Sequence, residues 1–289
     1  MKVSTDWLRE WVDSGWDPAT LAARLTMAGL EVEAIGPACP PFTGVVVAEV
    51  LACERHPDAD KLSVCSVDDG SGTPLQVVCG APNVRPGLRA AFARIGAELP
   101  GGLKIRRAKL RGVESSGMLC SARELGLGEG QAGILELPAS LVAGADLREA
   151  LGLDDVLLEV NVTPNRGDAL SIAGIAREVA ALAGAKLSPV LAEPLPASLP
   201  DRIELRLLAP RACPRFAGRV LRGLRPDSTT PLWMAERLRR AGLRPVSPIV
   251  DVTNYVMLEL GQPMHAYDLR RLAGHVEVRF ARPGERIAL

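Results

Sequence analysis

The sequence predicts a multidomain α+β protein in which a five-stranded β-barrel is inserted into a small α+β domain. Between residues 44 and 127, short runs with high β propensity alternate with turn-forming residues. Helical patterns flank this stretch on both sides, and neither flank has enough apolar residues for a core of its own. After a proline-rich segment, apolar residues alternate again from Ile203 onward, which indicates a further α+β unit.

The barrel prediction depends on five short runs separated by Gly, Pro, Asn and Asp. Five strands of this spacing match the OB-fold, a Greek-key barrel that often binds oligonucleotides. The predicted strands are 45–51, 62–67, 75–79, 89–93 and 103–110. We therefore assign residues 41–144 to an OB-type domain.

The two flanks predict one discontinuous domain, formed by residues 1–40 and 145–187. Ser4 or Thr5 can cap a first helix, and Asp17 before a proline starts a second. After the barrel, a strand at 156–162 precedes a helix that Ser171 or Asp168 can cap. A domain tolerates an insertion of this kind because its chain ends often lie close together at the surface.

Residues 188–201 predict a proline-rich linker, and residues 202–289 predict the start of a third domain. Within it we expect strands at 216–221 and 274–279, and a helix that begins after 228–231. The sequence stops soon after a turn at 282–285. We expect it to be the N-terminal part of a longer chain, with the third domain incomplete.

Composition limits the possible functions. The chain has 289 residues, with 34 basic and 34 acidic side chains, so any contact with nucleic acid must use a local basic patch. The 6 cysteines form no CxxC pair and are expected to be reduced. Neither a signal peptide nor an apolar run of membrane-spanning length is seen, which favours a cytoplasmic protein.

Several sequence motifs resemble those of known families. Four motifs resemble the tRNA-binding OB module of several aminoacyl-tRNA synthetases. They are HPDADKL (56–62), VVCGAPNVRPG (77–87), LRGVESSGMLCS (110–121) and ELGL (124–127). Three segments that flank that module resemble the N-terminal part of the bacterial phenylalanyl-tRNA synthetase β subunit. They are KVSTDWLREWV, LTMAGLEVE and TPNRGDALSIAGIAREVAAL. DVTNYVMLELGQPMHAYDLRRL (251–272) resembles the editing (B3/B4) domain of the same subunit.

The resemblance implies a β subunit of phenylalanine-tRNA ligase. Such a subunit binds tRNA(Phe) and hydrolyses tyrosine wrongly attached to it, because a pocket built for phenylalanine cannot strongly reject an isostere with one added hydroxyl. The implied partner is the α subunit, in an α2β2 assembly that uses ATP and Mg²⁺ to attach phenylalanine to the tRNA. For this stretch itself we expect no cofactor, no metal, no DNA and no membrane partner.

The resemblance also identifies candidate editing residues. Asn254 and His265 match catalytic positions, whereas Thr253, Pro263 and Ala266 match positions that line the pocket. An Asn amide can hold an ester carbonyl or a ribose hydroxyl, and a His can orient a water or transfer a proton. The pattern alone allows another interpretation, in which Asn254 caps a helix and His265 lies in a turn. The acidic residue that recognises the tyrosine hydroxyl in the family lies further along the chain than residue 289.

Basic side chains in the barrel segment are candidate tRNA contacts, because cations on an OB surface can follow a phosphate backbone. They could equally be the solvated charges that protect a strand edge. Only Phe92 among the predicted barrel strands is aromatic, which favours recognition of the backbone over stacking on bases. The candidates are Lys61, Lys104, Arg106, Arg107, Lys109 and Arg111.

Two other functions fit parts of the sequence. A stand-alone, non-enzymatic tRNA-binding protein of the OB type would account for the barrel but not for the segment 254–265. A metal-dependent hydrolase using His265 and His275 lacks ligands, because the remaining histidine, His56, lies in the barrel segment and no HExxH spacing is present.

Overall fold

The computed structural model describes residues 1–129, 133–188, 192–225 and 227–287. The strands are β1 (Lys2–Ser4), β2 (Glu31–Pro37), β3 (Thr43–Arg55), β4 (Ser63–Asp68), β5 (Leu75–Cys79), β6 (Arg89–Leu99), β7 (Leu103–Lys104), β8 (Ala108–Leu110), β9 (Val113–Ser115), β10 (Met118–Leu119), β11 (Val156–Asn161), β12 (Glu204–Leu207) and β13 (His275–Val278). The α-helices are α1 (Thr5–Trp11), α2 (Pro18–Met27), α3 (Leu147–Ala150), α4 (Ile172–Ala183), α5 (Leu232–Arg240) and α6 (Pro248–Leu260). Within the described ranges, no helix combines the length and the apolar character needed to cross a membrane.

The two flanks of the predicted barrel share one antiparallel sheet, in the order β1-β11-β2. Lys2 lies opposite Glu159, and the amino group of Met1 donates a hydrogen bond of 2.7 Å to the carbonyl of Val160. Helices α1, α2 and α4 pack on this sheet around a common core. Its buried side chains include Val3, Trp7, Leu8, Trp11, Leu25, Leu30, Leu158, Ile172, Ile175 and Val179.

Local capping chemistry places the helices of this unit where the sequence predicts them. The side chains of Ser4, Asp17 and Ser171 each accept a hydrogen bond from the backbone N–H three residues further on, at 2.7 to 3.0 Å. These bonds satisfy donors that the first turn of a helix leaves free. Helix α4 ends at Gly184, whose φ of 63° is the left-handed conformation that glycine adopts without strain.

A second, curled antiparallel sheet has the order β10-β6-β3-β4-β5, with β7 also paired to β6. The register of β3 shifts between Val50 and Ala52, where its pairing with β4 is irregular. Such irregularities bend a strand and increase its twist. Beyond the sheet, Ser116 N–H donates to the carbonyl of Gln76 at 2.9 Å, and Val78 N–H donates to the hydroxyl of Ser115 at 3.0 Å. The curled sheet is therefore established, and a closed five-stranded barrel stays a prediction.

The predicted strand at 103–110 is wrong as a single element. Its start pairs with β6, and its end forms a separate hairpin in which β8 pairs with β9. Ile105 is buried and still exchanges backbone hydrogen bonds with the β6 side, at 2.8 and 2.9 Å. Arg106 and Arg107 follow, and both are exposed. Two consecutive charged side chains cannot alternate between a core face and solvent, so the chain leaves the sheet there.

The third part of the chain contains a parallel pair, β12 and β13, together with α5 and α6. The predicted strand at 274–279 is confirmed by β13. The predicted strand at 216–221 is wrong, because these residues are irregular and Phe216 and Leu221 are exposed. The Arg219 guanidinium donates instead to the carbonyl of Leu195, at 2.7 Å. Residues 189–191 of the predicted linker and residues 288–289 lie outside the described residues.

Helix α5 is joined to the first sheet through the buried carboxylate of Asp155. This carboxylate accepts hydrogen bonds from the Ser4 hydroxyl at 2.5 Å, the Thr5 hydroxyl at 3.2 Å and the backbone N–H of Asp6 at 3.1 Å. It also forms an ion pair of 3.1 Å with Arg240 at the end of α5. The Asp155 side chain is 0% exposed and that of Arg240 is 10% exposed. A buried charge pair of this kind tolerates the loss of neither partner.

We predict that Asp155→Ala lowers the free energy of unfolding by about 3 kcal/mol, because the buried Arg240 guanidinium loses its closer carboxylate and keeps Glu236 at 3.8 Å from Nε. Urea denaturation followed by tryptophan fluorescence measures this loss. The matched control is Asp154→Ala, since the Asp154 carboxylate is 72% exposed and pairs with Arg148 at the surface. That change should cost about 1 kcal/mol or less. Equal losses in the two variants would contradict the assignment.

Candidate functional site

A cleft of about 1000 Å³ opens beside the curled sheet. One wall is the turn at 80–82, which follows β5. Residues 103–108 also line the cleft, and residues 117–119, 121 and 123–124 contribute to the lining. The cleft is thus built by the segments in which the sequence motifs VVCGAPNVRPG and LRGVESSGMLCS occur.

All six basic candidates are exposed. Three of them line the cleft directly, and two lie on the β8–β9 hairpin that continues from its wall. Lys61 belongs to the loop after β3, whose backbone passes close to Gly80: a Cβ added there would lie 3.7 Å from the Lys61 carbonyl oxygen. We call this set the basic rim: Lys61, Lys104, Arg106, Arg107, Lys109 and Arg111.

Acidic partners compensate only part of the rim's charge. Lys104 lies 3.9 Å from Glu98, and both side chains are more than half exposed, so the pair contributes little. Lys109 lies opposite Glu114 across the β8–β9 hairpin. Because the net charge of the whole chain is zero, the rim is a local concentration of positive charge.

Hydrogen bonds of His56 join the loop that carries Lys61 to the rest of the rim. Its backbone N–H donates to the carbonyl of Leu62 at 3.0 Å, which closes the loop. The backbone N–H of Asp58 donates to Nδ1 at 3.0 Å, so Nε2 carries the proton and donates to the carbonyl of Leu110 at 3.1 Å. The His56 side chain is buried, although the loop is polar. Sequence reasoning missed this role, since the partner carbonyl is 54 residues away.

Arg111 is held in a strained backbone conformation. Its φ of 46° lies in the left-handed region, and Gly112 follows with a φ of 90°. Two consecutive residues of positive φ make the two-residue turn of a tight hairpin, a position that favours Asn-Gly. An arginine there costs about 1–2 kcal/mol relative to a relaxed backbone. Such strain is concentrated at functional sites, which is consistent with a role for the guanidinium.

The candidate residues of the third part lie on helix α6 and in the segment that follows it. Asn254 is in the middle of α6, whose N-cap is Ser247, so the interpretation of Asn254 as a helix cap is wrong. The Thr253 hydroxyl donates to the carbonyl of Val250 at 2.7 Å and is thus engaged within its own helix. The predicted end of the helix at Gly261 is confirmed by its φ of 76°.

Pro263, His265 and Ala266 lie in an irregular, exposed segment. The His265 ring has its centroid 6.2 Å from that of Tyr267. Among the described residues, no hydrogen bond joins His265 to Asn254. The structure thus places three rim residues along one cleft, whereas the five editing candidates lie on α6 and in the exposed segment after it.

Helix α6 is anchored to the first sheet unit next to Asn254. The Tyr255 ring stacks on Trp7, with centroids 5.1 Å apart and 21° between the ring planes. The Tyr255 hydroxyl accepts from Arg237 at 2.8 Å and donates to Glu259 at 2.9 Å. Burial, opposed by the nearby Arg237, raises the pKa of the Tyr255 hydroxyl to about 12. The orientation of α6 around Asn254 is therefore fixed by contacts with α1 and α5.

Comparison with protein families gives two matches. Residues 45–146 match the family model described as "Putative tRNA binding domain". Residues 212–289 match the model described as "B3/4 domain". The first match contains the cleft and the whole basic rim, and the second contains the five editing candidates.

Curated relatives match the chain from end to end. The phenylalanine–tRNA ligase beta subunit of Bordetella bronchiseptica is 57% identical over 289 residues, and that of Pseudomonas fluorescens is 56% identical over the same length. The chain spans 36% of the length of each of these relatives. A solved structure of a MetRS related protein from Pyrococcus horikoshii is 24% identical and covers 35% of this chain and 85% of its own, with a TM-score of 0.27. That score is too low to support a conclusion.

We predict that Arg111→Asn raises the free energy of unfolding by about 1 kcal/mol, because Asn adopts the left-handed conformation at lower cost. Thermal and urea denaturation measure the gain. Arg111→Gln is the control, since it removes the same charge and keeps the backbone strain, and it should stay within about 0.5 kcal/mol of the parent. A gain of the same size in both variants would show that charge repulsion, and not backbone strain, destabilises this turn.

Proposed function

Because the chain belongs to the family of the phenylalanine–tRNA ligase beta subunits, we propose that it binds tRNA(Phe) through the basic rim and the cleft beside it. The observation that carries this proposal is a set of six exposed cations, three of which line one cleft, in a chain without net charge. Neutralising phosphates by Lys and Arg releases counter-ions from the nucleic acid, which drives association. The rim can neutralise phosphates locally, although the protein as a whole does not attract nucleic acid.

The proposed contact is with the tRNA backbone and its shape. Phe92, the aromatic residue of the predicted barrel strands, is 0% exposed, so its ring cannot stack on a base. Arginine offers a planar fork of donors that matches a phosphate, and lysine offers a mobile point charge. The hairpin turn would then hold the charge of Arg111 in a fixed position. The hydrogen-bonded loop would do the same for the charge of Lys61.

We propose that the curled sheet is an OB-type barrel that occupies residues 41–144. The hydrogen bonds from Ser116 to Gln76 and from Val78 to Ser115 support closure between β5 and the β9 side. The proposal places this barrel within a discontinuous α+β domain of residues 1–40 and 145–187, which is supported by the shared sheet β1-β11-β2. Residues 188–201 then form the linker to an editing domain that starts at residue 202.

For the third part we propose hydrolytic editing of Tyr-tRNA(Phe), carried out by the whole subunit. Asn254 would hold the ester carbonyl or the terminal ribose through its amide, and His265 would orient the attacking water and take up its proton. Thr253, Pro263 and Ala266 would line the pocket. Support comes from the family match of residues 212–289 and from the anchoring of α6 through Tyr255, next to Asn254.

Attachment of phenylalanine to the tRNA is proposed for a complex with the α subunit, in the cytoplasm, with α2β2 stoichiometry. That reaction needs ATP and Mg²⁺, which takes oxygen ligands. The described residues of this chain bring together no group of three or more His, Cys, Asp or Glu side chains that could hold a metal ion. No step proposed for this chain uses either group.

We predict that each of Arg106→Gln, Arg107→Gln and Lys109→Gln weakens binding of tRNA(Phe). The slope of log affinity against log salt should fall by about 0.7–0.9 for each phosphate that a variant no longer neutralises. Fluorescence titrations at several salt concentrations measure both effects. The control is Arg85→Gln, because Arg85 forms a bidentate pair with Glu136 at 2.8 Å and lies outside the rim. Affinity that is unchanged in all three rim variants would refute the proposed surface.

We predict that His265→Ala in the α/β complex slows hydrolysis of Tyr-tRNA(Phe) by about 10²-fold, because a positioned acid–base group is removed. Activation of phenylalanine should be unaffected. Deacylation of Tyr-tRNA(Phe) and ATP–pyrophosphate exchange measure the two reactions. His275→Ala serves as the control, since His275 lies in β13 beside Glu277. Unchanged hydrolysis in the His265 variant would remove His265 from the editing site.

A further inference from the structure

Two thiols face each other across the first hairpin of the curled sheet. Cys53 in β3 lies directly opposite Cys65 in β4, and their sulfur atoms are 3.6 Å apart. Both cysteines are free. Directly opposed residues of antiparallel strands have Cα atoms about 4.5–5.5 Å apart, within the range of about 4.4–6.8 Å that disulfides span. A disulfide could therefore form by rotation of the two side chains, without displacement of the strands.

The two thiols differ in their access to solvent. Cys53 is half-buried near the end of β3, whereas Cys65 is 1% exposed. A third cysteine, Cys79 in β5, is buried and lies opposite Ser63 rather than opposite either thiol of the pair. A small reagent thus reaches Cys53 first, and Cys65 is the thiol placed to react next.

We propose that Cys53 and Cys65 form a redox-modification site, at which a low-molecular-weight disulfide converts the two thiols into a cross-strand disulfide. In the first step the Cys53 thiolate attacks one sulfur of the reagent, forming a mixed disulfide and releasing one thiol. In the second step the Cys65 thiolate attacks the Cys53 sulfur and releases the second thiol. The two cysteines lose two electrons and two protons, and the reagent is reduced to two thiols.

Both steps require a thiolate, and the second also depends on pH through the buried Cys65 thiol. Burial, together with the neighbouring Cys53, raises the pKa of the Cys65 thiol above its usual range. Only the thiolate attacks, so its scarcity slows ring closure at neutral pH. Below that pKa the thiolate fraction rises about tenfold per pH unit, and the closing rate should rise with it. The short distance between the sulfur atoms favours closure over attack by a second reagent molecule.

The bond would close the hairpin that carries the Lys61 loop. Cys53 and Cys65 are 12 residues apart, and the loop closed by His56 lies between them. A covalent link between β3 and β4 at that point would stabilise the hairpin chiefly by restricting its unfolded states. Oxidation would thus act on the part of the basic rim that is otherwise held by hydrogen bonds alone.

The test is to incubate the whole chain with oxidised glutathione, quench with acid and analyse intact mass and non-reduced peptides. The expected product is two hydrogens lighter and links the peptides of Cys53 and Cys65. It should form faster at higher pH, be reversed by a reducing agent and raise the unfolding temperature. Cys79→Ser should still form the bond, whereas Cys53→Ser and Cys65→Ser should not.

Three outcomes would overturn the proposal. One is a stable glutathione adduct on Cys53 without ring closure. A second is a link from Cys53 to Cys79, to Cys213 or to a second chain, which peptide mapping of the unmutated protein would reveal. The third is a native chain in which all thiols stay reduced at the pH and glutathione concentration at which a denatured sample is oxidised. Because these outcomes are read on the unmutated chain, they hold even if Cys65→Ser fails to fold.

Discussion

The buried carboxylate of Asp155 connects three stretches that are far apart in the sequence. The carboxylate accepts hydrogen bonds from the start of α1 and pairs with Arg240 in α5. Asp155 itself follows the segment through which the chain leaves the curled sheet. Burying two charges is costly, and hydrogen bonds to the two groups offset part of that cost. Asp155 has these partners in Ser4, Thr5 and Asp6, so the position of α5 relative to the first sheet is strongly specified.

This junction explains how two different surfaces can coexist in one chain. The curled sheet has its own buried residues and carries the basic rim. Helices α5 and α6 are held by Arg240 and by the stack of Tyr255 on Trp7, so the segment around Asn254 depends on the first sheet. The proposed editing segment relies on this anchoring.

The sequence predicts those features that depend on nearby residues. The caps at Ser4, Asp17 and Ser171 are local chemistry, and they are confirmed. The prediction of a single strand at 103–110 is wrong because the pairing partners, β6 and β9, cannot be inferred from these residues alone. The bond from His56 to Leu110 and the strain at Arg111 also arise from long-range pairing. The roles of Asn254 and His265 stay predictions, because the described contacts do not bring them together.

Whether the basic rim binds tRNA can be measured by amide hydrogen exchange of the chain with and without tRNA(Phe). Bound tRNA should slow exchange in the loop 56–62 and in residues 103–115, because both would be covered by its backbone. Exchange in the sheet β1-β11-β2 should be unchanged. Slowed exchange in that sheet, with unchanged exchange in both rim segments, would contradict the account and move the interface away from the cleft.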